Sequence, residues 1–284
     1  MIGGLPDHFS VQLNHLLHDS DPQVVQHAIR AVGTLRKRRL APVLIEHLGN
    51  PTLRDESVDA LLAFEDSIAG TLQDYLTDGS VPIEIRREIP AILVRIGTAD
   101  AMRILADKLI QGDNILRYRI IAGLNKLAGL HGNIHVDKDV IETVLIAEIM
   151  GHYRSYQILA SANGEPTDAL RESIKEELER IFRLMKLLFP EHDIQRAHLG
   201  LQSKDPITHA NALEFLDITL KPQLRNLLVP LIDSEVSETE RAHLADRFLR
   251  IKVGSRDEAI ALLLSSEDPW LKSCAYLWES RRQS

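Results

Sequence analysis

Asp21-Pro22-Gln23-Val24-Val25-Gln26-His27-Ala28-Ile29-Arg30-Ala31-Val32-Gly33-Thr34-Leu35 is the stretch on which the fold turns. An aspartate followed at once by proline opens a helix, because the carboxylate caps free N–H groups and proline fits the first turn. Apolar side chains then fall at Val24, Ala28, Ala31, Val32 and Leu35, which is one face of a 3.6-residue period. Upstream, residues 5–18 place Phe9, Leu13, Leu16 and Leu17 on one face of an earlier helix.

The same stripe returns as Leu53, Ser57, Ala60, Leu61 and Phe64, then as Ile85, Ile89, Ile92, Leu93 and Ile96. A fourth copy is Leu116, Ile120, Gly123, Leu124 and Leu127. From Val24 to Leu53 to Ile85 to Leu116 the steps are 29, 32 and 31 residues. Shorter amphipathic helices lie between the stripes, at Leu40–Leu48, Ser67–Leu76 and Thr98–Ile110. A short helix, a turn and a second helix form one hairpin that cannot bury both faces alone, so neighbours must stack. Pro90, inside the third stripe, removes a backbone donor and predicts a kink or a late start there.

The register is lost from Ala128, where Gly129, Gly132 and Asn133 mark a loop. Residues 137–162 read as one long helix, with Val140, Ile141, Val144, Leu145, Ile149, Tyr153 and Tyr156 apolar. Asn163-Gly164-Glu165-Pro166 is a turn, and Thr167 is placed to cap a second long helix through Asp168–Phe189. That helix puts Leu170, Ile174, Leu178, Ile181, Phe182, Met185 and Leu188 on one side and Arg171, Glu172, Lys175, Glu176 and Glu179 on the other.

The pattern resumes with a short helix at His192–Gln202 and, after Asp205-Pro206, a stripe of Thr208, Ala212, Phe215 and Leu216. From Leu116 to Thr208 is 92 residues, close to three periods. Pro222–Ile232 pairs with Glu235–Ile251, and Arg256–Leu264 with the segment from Asp268-Pro269-Trp270. Trp270, Tyr276 and Trp278 near Ser284, with no polar terminal cap, give the array the look of one cut off, a fragment or truncated relative of something longer. The expected fold is all-α: an α-solenoid, a superhelix of about seven stacked helical hairpins with an inserted long helix pair. The expected divisions are residues 1–127, 128–189 and 190–284.

Composition agrees with helices and narrows the function. Hydrophobic residues make up 44% of the 284 and aromatic ones only 5%, too few aromatics to favour a sheet. Against 41 acidic residues stand 33 basic ones, a formal charge of −8 that repels nucleic-acid phosphates. Cys274 is the only cysteine, so no intrachain disulfide forms, which suits a reducing cytoplasm. There is no basic-then-apolar signal at the N-terminus and no apolar run of the ~20 residues that span a bilayer.

A period of about 31 residues, Asp-Pro turns, and the apolar-arginine pairs Leu53-Arg54, Ile85-Arg86 and Leu116-Arg117 resemble HEAT repeats, the first unit departing with Val24-Val25. In that family this arginine bonds acidic or carbonyl groups of the turns. Four runs carry a more specific resemblance: Asp21 to Ala31, Ile85 to Gly97, Leu184 to Pro190 and Asn211 to Asp217. They are similar to the cytoplasmic HEAT-repeat region of bacterial ATP/ADP-translocase-like transporters. The resemblance implies a regulatory or scaffolding role, with a protein partner or an adjoining transporter membrane domain, at the inner membrane face if fused to one. Transport residues of that family lie in membrane helices with no counterpart here.

Each candidate for chemistry has a plainer reading beside it. Arg36-Lys37-Arg38-Arg39 is the dense basic run; it could touch anionic headgroups or a phosphate, or be a solvated turn at a helix C-terminus, where cations suit the dipole. It is the expected partner or membrane surface. Glu46-His47 and Glu191-His192 invert the His-Glu order of HEAT-like iron hydroxylases, and His15/His18 and His131/His135 lack a third ligand. Neither metal nor cofactor is therefore expected. Arg54, Arg86, Arg117 and Arg241 could line a DNA-gripping face, but the acidic balance makes a structural ladder the better reading, with no nucleic acid bound. Tyr153 and Tyr156, with His152 and Arg154, form either a partner-facing patch or packing against the second long helix. The expected function is a non-enzymatic scaffold. The alternative is a HEAT-like enzyme of chromophore-lyase, metal-dependent hydroxylase or DNA-glycosylase type.

Overall fold

A computed structural model describes residues 7–110, 113–131, 137–162, 165 and 167–266, together with 269–280. Every regular element among the described residues is helical, and none of these helices is long and apolar enough to cross a membrane. The helices up to His131 fall in one compact unit and those from Lys138 in another.

The first unit contains α1 (Asp7–Leu16), α2 (Pro22–Leu35), α3 (Ala41–Glu46), α4 (Arg54–Leu62), α5 (Ala69–Thr77), α6 (Ile83–Ile96), α7 (Ala99–Asp107) and α8 (Asn114–His131). Asp21 caps α2 as its sequence predicts, accepting from the Gln23 N–H at 2.9 Å. The second and fourth stripes are buried throughout, and in the third only Ile96 is half-buried. Ser57, an odd member of an apolar stripe, donates its hydroxyl to the Leu53 carbonyl at 2.8 Å. Pro90 does not delay α6, which begins at Ile83 and carries the proline buried inside it.

The α2 stripe differs from expectation. Val25, Ala28, Ile29, Val32 and Gly33 are buried, whereas Val24 and Ala31 are half-buried and Leu35 is exposed. Gly33 is the cause: a Cβ there would sit 2.8 Å from the Ala60 Cα, so α2 meets α4 backbone to backbone at that point. Close approach turns the glycine inward and rolls the helix by about one position.

Successive hairpins share a corner geometry. Arg36, Glu65 and Gly97 follow α2, α4 and α6, and each has a left-handed backbone, with φ of 48°, 55° and 73°. Their spacing, 29 and then 32 residues, equals that of the stripes. At the first corner Arg36 N–H donates to the Gly33 carbonyl and Lys37 N–H to the Val32 carbonyl, closing α2 in a Schellman motif with arginine in the usual glycine place. Neighbouring corners are bonded: Arg36 pairs with Glu65 at 2.6 Å, and the Thr98 hydroxyl donates to Asp66 at 2.7 Å. Between helices, Arg30 reaches Glu56 at 3.1 Å, Arg95 reaches Asp59 at 3.1 Å, and Glu88 is held by Arg54 at 3.5 Å and Arg119 at 3.0 Å.

The second unit contains α9 (Lys138–Ala160), α10 (Asp168–Leu188), α11 (Ile194–Leu201), α12 (Pro206–Thr219), α13 (Pro222–Ile232), α14 (Glu238–Leu249), α15 (Arg256–Ser265) and α16 (Pro269–Ser280). Aspartates cap α9, α11 and α12, and Ser237 with Glu240 forms a capping box on α14, whereas Thr167 makes no side-chain capping bond. Only Ala212 and Leu216 of the α12 stripe are buried; Thr208 is exposed and Phe215 half-buried. The helix α9 packs on α10, α13, α14 and α15, so the long pair is the centre of this unit. Trp278 is buried on α16, which packs against α10 and α15.

Candidate functional site

Apolar patterning accounts for one side of α9, yet Glu148, His152, Ser155 and Gln157 on its other faces are also buried. Burial of such groups is costly without partners. The partners come from α10: Arg180 Nε donates to Glu148 at 3.0 Å, His152 Nδ1 lies 3.0 Å from Glu177 Oε2, and the Ser155 hydroxyl donates to Glu177 Oε1 at 2.8 Å. Further along, Gln157 donates to Asp246 and to the Ile251 carbonyl, both at 2.7 Å, and Ser161 to the Val253 carbonyl at 2.8 Å.

This seam contains Ser, His and Glu, but in no arrangement that activates a nucleophile. Ser155 and His152 both address Glu177 and do not bond each other. His152 is only 1% exposed, and its Nε2 is buried without a partner. The two charged contacts instead mark an antiparallel register in which residue numbers across the pair sum to 328 (148 and 180) or 329 (152 and 177), with Ser155, one turn from His152, on the same Glu177. Sliding α10 by one turn in one direction brings Glu148 against Glu177, two buried carboxylates; the opposite slide sets His152 against Arg180. Polar pairs that punish the wrong register are a recognised use of buried charge.

Tyr153 and Tyr156 sit on the same helix, and both are buried rather than offered to a partner. Their hydrogen bonds and the Tyr153 ring contact reach α13 and α14. The Tyr153 hydroxyl donates to the Leu227 carbonyl at 2.8 Å and its ring meets Phe248 at 5.2 Å, while Arg241 Nη1 donates to the Tyr156 hydroxyl at 3.1 Å. Burial pushes the Tyr153 phenol well above its ordinary value, and raises Tyr156 against the opposing pull of Arg241.

The basic run Arg36–Arg39 lies on the first corner. Arg36 is engaged by Glu65, Arg38 and Arg39 are exposed, and Lys37 is half-buried. Three of the four arginines of the expected ladder bond the backbone: Arg54 Nε donates to the Leu48 carbonyl at 2.9 Å, Arg86 Nε to Val81 at 3.1 Å, and Arg241 to Pro230 and Asp233 at 3.1 and 2.8 Å.

The histidine pairs are scattered. His47 Nε2 bonds the Leu17 carbonyl at 3.0 Å, and burial holds its pKa below the ordinary value. His192 is 3.9 Å from its neighbour Glu191 on the surface, and His18 Nδ1 turns to the Asn14 carbonyl at 2.7 Å. The His131/His135 spacing, the Gly132-Asn133 loop and most of the turn at 163–166 lie outside the described residues. Among the described residues no three metal-binding side chains come together.

An open groove of about 590 Å³ separates α10 from α11. On its floor the rings of Phe182 and His198 stack nearly parallel, 4.1 Å apart at 4°. Burial lowers the His198 pKa, with Glu179 opposing and Arg183 reinforcing, and Gln202 holds its Nε2 at 3.1 Å. Patterning of α10 alone does not reveal this groove, since its second wall comes from the next helix. No protein-family model matches the chain, and no curated protein matches it.

Proposed function

We propose that the chain is a HEAT-like α-solenoid acting as a non-enzymatic scaffold, offering its surface to a protein partner or packing under the membrane domain of a nucleotide-transporter-like protein. The observation that supports this best is the corner that recurs after α2, α4 and α6, at the spacing of the apolar stripes, each bonded to the next. Elements that repeat and touch their neighbours in order are what a stacked array of hairpins requires. Arginines bonded to backbone carbonyls add to it, because they tie each helix to the segment before it. The basic run at the first corner is the expected contact with an anionic surface, and the expected location is the cytoplasm.

Blotting cell fractions with an antibody to this region tests the reading. A membrane-bound band far above 32.0 kDa supports the transporter-linked form, and a soluble band near 32.0 kDa that captures a stable partner supports a free scaffold. Stoichiometric iron or a visible chromophore in the purified chain overturns both in favour of a HEAT-like enzyme. Alanine at all four of Arg36–Arg39 should weaken binding to vesicles containing phosphatidylserine; unchanged binding rejects that surface.

A further inference from the structure

We propose that the α10–α11 groove docks a short basic peptide segment of a protein partner, one that also carries an apolar side chain; this rests on the scaffold reading and names the partner's chemistry. Three observations meet in the groove. Leu199 stands on its rim 58% exposed, beside the Phe182–His198 stack, an apolar footing with no cover from its own unit.

Charge gives the sign of the occupant. Lys175 is matched by Glu172 at 2.9 Å and Arg183 by Glu179 at 2.6 Å, both along α10. Glu176, exposed between them and facing the same groove, has no ion-pair partner among the described residues. The α11 wall adds only neutral Gln195 and Gln202. A lysine or arginine from outside is therefore the complement, with its aliphatic stem lying on Leu199.

Hydrogen bonding gives the backbone. His198 is buried to nine-tenths and lines the groove; Gln202 occupies its Nε2, and Nδ1 has no partner among the described residues. With the Gln202 amide donating to Nε2, the ring carries its proton on Nδ1 and can donate to a carbonyl. A segment in extended conformation has free carbonyls and side chains on both sides, and so can meet the histidine, the leucine and Glu176 together. Burial keeps His198 neutral near pH 7, so the floor does not repel a cation.

The test uses the full chain and a fluorescein-labelled peptide alternating lysine and leucine, with its glutamate–leucine twin as control, read by anisotropy. The lysine peptide should bind and the glutamate twin should not. Leu199→Asp should weaken binding about tenfold or more, and Glu176→Gln about two- to fivefold, the size of one exposed ion pair. Glu214→Gln, on the exposed surface of α12, should change nothing. Both changes lie at exposed positions, and unaltered circular dichroism checks that the fold is kept. Equal loss in Glu214→Gln, or binding that survives Leu199→Asp, overturns the groove while leaving the scaffold reading to its own fractionation test.

Discussion

Removing Arg180 should unfold the second unit far more readily than removing any surface arginine. Its side chain is 8% exposed and that of its partner Glu148 is 5%, so Arg180→Ala leaves a carboxylate buried with its charge-assisted bond gone. Glu177 lies three residues away on the same helix, already receiving Ser155 and His152. Breaking one side of a buried pair costs about 3–5 kcal/mol, whereas replacing both by apolar groups of similar volume is often neutral or stabilising by about 1–4 kcal/mol. Arg180→Ala should therefore lose about 3–5 kcal/mol, and Glu148→Leu with Arg180→Met should recover most of it. Cys274, the only cysteine and 5% exposed in the same unit, gives the assay: its rate of reaction with a thiol reagent across a urea series reports opening of that unit. A loss below about 1 kcal/mol for Arg180→Ala, or a double variant no better than the single, would refute the reasoning, since either result means that Glu148 does not depend on Arg180 for compensation.

Other outcomes follow from the same structure. Gly33→Ala should destabilise by about 1–3 kcal/mol in chemical denaturation, despite alanine's better helix propensity, because the new Cβ meets the Ala60 backbone at 2.8 Å. Arg36→Gly and Glu65→Gly each relieve a left-handed backbone costing about 1 kcal/mol and give up the same exposed pair, worth about 0.5 kcal/mol, so the double variant should exceed the sum of the singles by about that amount in a double-mutant cycle. His47 and His198 have folded-state pKa values depressed chiefly by burial, so the unfolded chain binds more protons near and below the ordinary histidine value. Stability should fall as pH drops from 7 through that window, and His198→Gln should flatten the slope in pH-dependent melting.

The stripes of α4, α6 and α8 were legible in sequence because each rests on side chains with an unmistakable period. The α2 stripe shifted because the residue that set its orientation, Gly33, has no side chain to count. Corners were invisible for a related reason: the left-handed turn is announced by glycine at Gly97, but arginine and glutamate fill the equivalent places at Arg36 and Glu65. The bonds of Glu148, His152 and Glu177 were not legible, since patterning alone cannot see that α9 has neighbours on several sides. The groove needed two helices to exist, and only Phe182 and the acidic face of α10 were visible in advance. His198 and Leu199 carried no signal in a short helix.

Both tryptophans of the chain, Trp270 and Trp278, belong to α16 of the second unit, and Trp278 is buried there. Excitation at the red edge of protein absorption thus illuminates one half of the molecule and leaves the other dark. Emission colour and quenching follow the second unit alone, while far-ultraviolet ellipticity records both. Comparing the two signals in one titration separates the melting of the halves without label, truncation or tag, and tells whether they part company or go together.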